Sequence, residues 1–169
     1  MRYLMAYHSA YSPVIDGCVF TSIKERRLPE DKKKFDALAK KVADFYSTFE
    51  IIPGLKVNGK LTLGENIADL GGISIAYDAL QRYLQRNPAE NREIEGFTPE
   101  QRFFIAWSQI WKSNVRDETA KMFAMIDPHS PEKIRGLVPA VTHPKFETAL
   151  KDKSKLGKLP VKYPNLNMW

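Results

Sequence analysis

Asn58-Gly59-Lys60-Leu61-Thr62-Leu63-Gly64-Glu65-Asn66-Ile67-Ala68-Asp69-Leu70-Gly71-Gly72 opens the most apolar helix that this sequence predicts. From a start near Thr62 to Glu65 the helix should run to about Arg86, because Ile67, Ala68, Leu70, Ile75, Ala76, Ala79, Leu80, Tyr83 and Leu84 nearly encircle it with apolar groups. Such a helix belongs at the centre of a fold. Gly71-Gly72 inside it costs about 1 kcal/mol per glycine relative to alanine, which predicts a close backbone approach there. Glu65 and Asp69 are four residues apart and share one face. One such carboxylate can ligate a divalent metal while the other orients a neighbouring imidazole. The same letters also spell a capping box, Thr62-x-x-Glu65, in which Glu65 closes the helix start and Asp69 faces solvent. Spacing alone leaves both readings open.

The flanking segments are mostly helical as well. Phe35, Leu38, Ala39, Val42, Phe45, Tyr46 and Phe49 form one apolar stripe, with Glu30 and Asp31 at the helix start, where the macrodipole favours anions. The stripe stops before Pro53-Gly54, and residues 55–63 alternate around Asn58-Gly59, a dipeptide suited to tight reversal, so a short hairpin or loop is expected there. Asn87-Pro88 ends the central helix. Thr98-Pro99-Glu100-Gln101 is a capping box with proline at the first helical position, starting a helix through Phe103, Phe104, Trp107, Ile110 and Trp111, whose aromatics are expected in the core. Residues 117–126, 130–137 and 144–150 read as further helices. The fold class is therefore mainly α. Residues 1–29 have no period and read as an irregular segment, distinct from a helical unit over 30–169 that ends in a basic tail.

At 169 residues the chain is long enough for one domain with a sizeable core. No stretch approaches the roughly 18 consecutive apolar residues of a membrane helix, and the opening residues carry no secretion signal. The single cysteine, Cys18, excludes an internal disulfide and a cysteine-rich zinc module and reads as a small apolar residue. Twenty-six Lys and Arg against 20 Asp and Glu give +6, but the lysine runs lack interleaved aromatics and a recognised binding motif, so no nucleic-acid partner is expected.

Read whole, the stretch 58–72, followed by Ala76-Tyr77-Asp78-Ala79, Phe103-Phe104, Trp107-x-Gln109-x-Trp111, Asp127-Pro128-His129-Ser130-Pro131, Arg135 and Trp169, closely resembles the neprilysin and endothelin-converting-enzyme family of zinc metallopeptidases. The resemblance covers roughly residues 30–169. It implies the C-terminal helical part of a zincin-like (gluzincin) catalytic domain that hydrolyses peptide bonds, with peptides as substrates and zinc as cofactor of the complete enzyme. Lacking the family's usual paired cysteines in this part, the chain looks closer to the bacterial members. By the resemblance Glu65 is a zinc ligand and Asp69 the aspartate that hydrogen-bonds a zinc-bound histidine. His129 is implied to stabilise the oxyanion of the tetrahedral intermediate, and Arg135 to bind the substrate backbone. The residue types suit those tasks, since positioned donors stabilise developing charge and a forked guanidinium fits a carbonyl.

One part of the family pattern has no counterpart here: the H-E-x-x-H helix that supplies two histidine ligands and the general base. The histidines are His8, His129 and His143, none of them four residues apart. His8 with Glu65 would fall short of a catalytic zinc shell, and His143, before Pro144, reads as a helix cap or surface residue. The expectation is a chain that is inactive alone and holds no zinc without the histidine-bearing segment; the alternative is a non-catalytic peptide-binding or interaction module derived from the peptidase. Without its partner helix the face near Glu65 should expose apolar surface and favour a homo-oligomer, or a rearranged 1–27 segment covering it. The resemblance implies an extracytoplasmic parent, periplasmic or at the cell surface.

Overall fold

The computed structural model describes residues 29–150 together with Pro164 and Leu166. The irregular segment expected over residues 1–29, with His8 and Cys18, lies outside the described residues except for Pro29, as do the basic run of the tail and Trp169.

Helix α1, Pro29–Tyr46, carries Glu30 and Asp31 in its first turn and buries Ala39, Val42, Ala43 and Tyr46. Phe49, the last residue of the expected stripe, lies past the helix end, yet its ring still meets Phe45 edge-on at 5.2 Å. Strands β1, Glu50–Ile52, and β2, Leu55–Lys56, pair antiparallel. Their reversal is at Pro53-Gly54, where Gly54 takes φ 80°, and not at Asn58-Gly59 as the sequence suggested. Gly59 serves close approach instead: a Cβ there would sit 2.0 Å from the Ala43 carbonyl oxygen, and its N–H donates to Ser47 Oγ at 3.2 Å. Asn58 Oδ1 accepts from the Leu61 N–H, turning the chain toward the next helix.

Helix α2, Leu63–Arg86, spans the predicted range. Its N-terminal half packs on α1 and its C-terminal half on the helix that follows, so it joins two cores. The first core gathers Ala39, Val42, Tyr46, Val57, Ile67, Leu70, Ile134, Val138 and Leu166. The second gathers Ile73, Tyr77, Phe104, Ala140, Phe146 and Leu150. The remaining face is open: Ile75 is 50% and Tyr83 52% exposed, and Ala68, Ala76 and Ala79 lie at the surface beside them. The close approach expected at Gly71-Gly72 is absent at Gly72, which has nothing within 4 Å of a built Cβ.

Helix α3, Pro99–Ile110, begins with the capping box complete: Thr98 Oγ1 accepts the Gln101 N–H and Gln101 Oε1 accepts the Thr98 N–H. Phe104 is fully buried as expected, whereas Phe103, Trp107 and Trp111 are only half-buried. Helix α4, Asp117–Ile126, follows. Helix α5, Glu132–Val141, starts after Pro131 and runs through Pro139, four residues beyond the expected end. Proline has no N–H for the Arg135 carbonyl four residues back. Trp107 Nε1 donates to that carbonyl instead at 3.0 Å, and Ser108 Oγ donates to the Gly136 carbonyl at 3.0 Å. A Cβ at Gly136 would come within 3.2 Å of Trp111 Cβ, so glycine lets α5 lie tight against α3. Helix α6, Phe146–Ala149, closes the second core.

Candidate functional site

The capping reading of Thr62-x-x-Glu65 fails in the structure. The Thr62 N–H donates to the Asn58 carbonyl, and Thr62 caps nothing with its side chain. Its hydroxyl donates to the same carbonyl at 3.1 Å and accepts from Asn66 Nδ2 at 2.9 Å. Glu65 thus has no capping duty, and its half-exposed carboxylate projects from the first turn of α2. Asp69, one turn on, is 8% exposed and not solvent-facing.

The cause of Asp69's burial lies 66 residues away. Arg135 Nε donates to Oδ2 at 2.7 Å and Nη2 donates to Oδ1 at 2.8 Å, a forked pair between α2 and α5. Donating these hydrogen bonds to Asp69 raises the Arg135 pKa above its usual value, against the opposing effect of burial, with the charges of Asp69, Glu65 and Asp127 adding to it. The guanidinium carbon also stands 4.0 Å from the centre of the Trp111 ring. Arg135 is therefore fixed on one side by a carboxylate and on a second by an indole. The fork has five N–H donors and spends two on Asp69.

His129 sits on the loop between α4 and α5. Its backbone N–H donates to Asp127 Oδ1 at 2.9 Å and its Nδ1 lies 2.7 Å from the same oxygen. A carboxylate only accepts, so Nδ1 carries a hydrogen and Nε2 is turned toward Glu65, whose Oε2 is 3.4 Å away. Burial alone would push the Asp127 carboxyl up; the hydrogen bonds from His129, with the charges of His129 and Arg135, hold it below the usual carboxylate range. Beneath His129, Ser130 is 3% exposed and donates to Asn66 Oδ1 at 2.7 Å.

Glu65, Asp69, His129 and Arg135 come from three separate segments and meet at one place. Beside them opens a cleft of about 240 Å³, lined by His129, Arg135 and Asp127 on its polar side and by Ile51, Val57, Trp111, Val115 and Phe123 on its apolar side. Among the described residues no group of three or more His, Cys, Asp or Glu side chains is placed to hold a metal ion. A catalytic zinc takes three protein ligands, so these residues do not by themselves fit one.

His143, expected as a cap or surface residue, is elsewhere. Its Nδ1 does accept the Lys145 N–H at 3.2 Å, but its ring is wedged 4.8 Å from Tyr77 and 5.4 Å from Phe104. The four residues singled out from the sequence lie close together in the structure, but the neighbours that hold them were not legible in it. Asn66 sat inside the quoted motif, yet its role depends on Ser130, 64 positions on. Trp111 was read as core because helical spacing cannot distinguish an indole facing a core from one facing a guanidinium.

The fold is mainly helical, and at the start of its central helix Glu65 stands 3.4 Å from His129, beside a cleft that His129 and the clamped Arg135 line. Residues 20–157 match the family Peptidase family M13, and the chain belongs to that family. Neprilysin-1 of Caenorhabditis elegans is 40% identical over 100 residues, covering 57% of this chain and 13% of that protein. The endothelin-converting enzyme homolog of Locusta migratoria is 42% identical over 109 residues, 63% of this chain and 15% of that one. In three dimensions, the zinc metalloprotease Zmp1 of Mycobacterium tuberculosis in complex with inhibitor superposes with a TM-score of 0.69 at 32% identity, over 82% of this chain and 20% of Zmp1. The chain thus spans about a fifth or less of the length of these relatives.

Proposed function

We propose that this chain forms the substrate-holding wall of a peptide-hydrolysing site in an extracytoplasmic peptidase, and that alone it binds short peptides without cleaving them. The observation that carries this reading is that His129 and the Asp69-clamped Arg135 line a partly apolar cleft, with Glu65 3.4 Å from His129. An extended peptide presents carbonyl oxygens that the remaining Arg135 donors suit, and an apolar side chain that the wall of Val57, Trp111 and Phe123 suits. His129, held through Nδ1 by Asp127, has Nε2 on the side where negative charge would develop on an attacked carbonyl, and it would donate there when the ring carries a hydrogen on both nitrogens. Asp69 serves here by fixing Arg135, and in the complete site its second task is to orient a ligating histidine. Zinc, if bound in the complete enzyme, would supply a Lewis acid and an activated water, and Glu65 would be this chain's ligand to it.

The test is fluorescence anisotropy of labelled apolar peptides with the purified chain, run beside a cleavage assay and elemental zinc analysis. Binding weakened at least about tenfold by Arg135→Ala, the size of one charge-assisted bond, is the expected result. Cleavage by the chain alone, lost in Glu65→Ala together with stoichiometric zinc, would overturn the inert half of the proposal. Absence of peptide binding would overturn the other half. The open face of α2, with Ile75 and Tyr83, supports self-association as a second property, which sedimentation of the chain and an Ile75→Lys variant would check.

A further inference from the structure

Three side chains, two of which (Thr62 and Ser130) also border the cleft, form a buried chain of hydrogen bonds directly beside the site. Asn66 is 0% exposed, Ser130 3% and Thr62 4%. Ser130 Oγ donates to Asn66 Oδ1 at 2.7 Å, Asn66 Nδ2 donates to Thr62 Oγ1 at 2.9 Å, and Thr62 Oγ1 donates to the Asn58 carbonyl at 3.1 Å. Each of these three bonds joins a donor to an acceptor of the right kind, and none of the groups is charged. Asn66 directly follows Glu65 in sequence, and Ser130 directly follows His129.

The residues between α4 and α5 form no helix or strand, so little else in the backbone fixes where His129 stands. Asp127 ties the imidazole to its own loop, two residues away, and says nothing about the distance to α2. Among the described residues, the Ser130–Asn66 bond is the hydrogen bond that ties that loop to the turn of α2 bearing Glu65. A buried amide also accepts only one arrangement at low cost, because leaving either end unpaired costs about 1–3 kcal/mol. Leucine, of similar size, would fill the space and specify nothing.

We infer that Asn66 is a positioning residue which, through Ser130, sets His129 opposite Glu65, with Thr62 fixing which way the amide points. The inference rests on the reading of His129 and Glu65 as parts of one peptide site, but it is tested without peptide, metal or turnover. In the full chain, Glu65→Gln removes a charge 3.4 Å from His129 Nε2 and should shift the His129 Cε1–Hε1 NMR cross-peak. In a Ser130→Ala background that response should fall to less than about half, the failure of additivity that a lost coupling produces, while Ser130→Thr, which keeps the hydroxyl, should preserve it. Asn66→Ala should act like Ser130→Ala; should it fail to fold, the single hydroxyl deletion still gives the answer.

A Ser130→Ala chain that is less stable but keeps the full response would overturn the inference and leave the network purely structural. So would a parent chain in which Glu65→Gln leaves the His129 signal unmoved. Loss of the response together with failure of the chain to bind any peptide would uphold the positioning role and overturn only the proposed function, so the two are separable.

Discussion

The two halves of α2 bury side chains by opposite means. Around its C-terminal half the core is made of rings: Phe104 meets Tyr77, Phe103, His143 and Phe146 with centroids 5.1 to 5.6 Å apart. Around its N-terminal half the helix buries Asn66 and Asp69 next to Ile67 and Leu70, and each polar group has a partner on α5 or on the loop before it. Rings gain free energy in proportion to the area they hide and tolerate small shifts. Paired polar groups gain little net stability, yet they fix distances and directions. The difference teaches that the aromatic half holds the fold together while the polar half holds the site in register.

The largest effect is expected where the rings are. Phe104→Ala removes a side chain that is 2% exposed and leaves a cavity, at a cost of about 4 kcal/mol. Urea unfolding would show the midpoint falling, with the Glu65–His129 response unchanged in the folded fraction. Loss of that response at equal foldedness would break the division between the halves.

Next comes the Asp69–Arg135 pair. Asp69→Ala strands a guanidinium that is only 16% exposed at its side chain, and about 3 kcal/mol of stability should go with it. The double variant Asp69→Leu/Arg135→Met should recover most of that loss, to within about 1 kcal/mol of the parent, because apolar side chains of similar size often match a buried pair in stability. Peptide binding should not recover. If the double variant is as unstable as Asp69→Ala, the pair is a structural element and the contrast with the aromatic half weakens.

The elements that could be read from the sequence are those fixed by neighbours in the chain. The bounds of α2 and the Thr98–Gln101 capping box follow from spacing over three to eight residues. The end of α5 could not be read, since Pro139 ordinarily stops a helix and is tolerated here only because Trp107, 28 residues before Arg135, takes over the orphaned carbonyl. Likewise Asn58-Gly59 has the letters of a reversal, but the pressing of Gly59 against the Ala43 carbonyl is a tertiary demand. Of the site, the identities of Glu65, Asp69, His129 and Arg135 came through the family resemblance. Their arrangement did not, because each contact spans more than 60 residues and no periodicity records it.

A smaller effect separates the two histidines. Burial between Tyr77 and Phe104 lowers the His143 pKa below its usual 6.5; the Asp78 carboxylate opposes this and the Lys145 charge adds to it. Below pH 6.5 the unfolded chain then binds more protons at this position than the folded one. The stability that neutral His143 contributes is therefore complete above about pH 6.5 and is lost as pH falls through the lower, folded value. Urea midpoints taken from pH 8 to pH 5 should fall in the parent and fall less steeply in His143→Leu. An unchanged slope would mean that the aromatic half does not sense protons and that the titrating groups lie elsewhere.

The smallest expected effect tests whether geometry or mere charge distinguishes the Asp69–Arg135 pair. On α1, Lys32 pairs with Asp36 and Lys40 with Asp44, with all four side chains more than half exposed. Water screens such pairs, ordering two flexible side chains opposes them, and lysine preceding the acid by four is the weaker order along a helix. Asp44→Asn should change stability by about 0.3 kcal/mol, and added salt should erase even that. Arg135 and Asp69 have the same charges but are withdrawn from water and locked as a fork, so their coupling in a double-mutant cycle should persist at the same salt concentration. A coupling there that also vanished with salt would mean that water reaches the clamp, and Arg135 would then be free to swing away from the cleft it is proposed to serve.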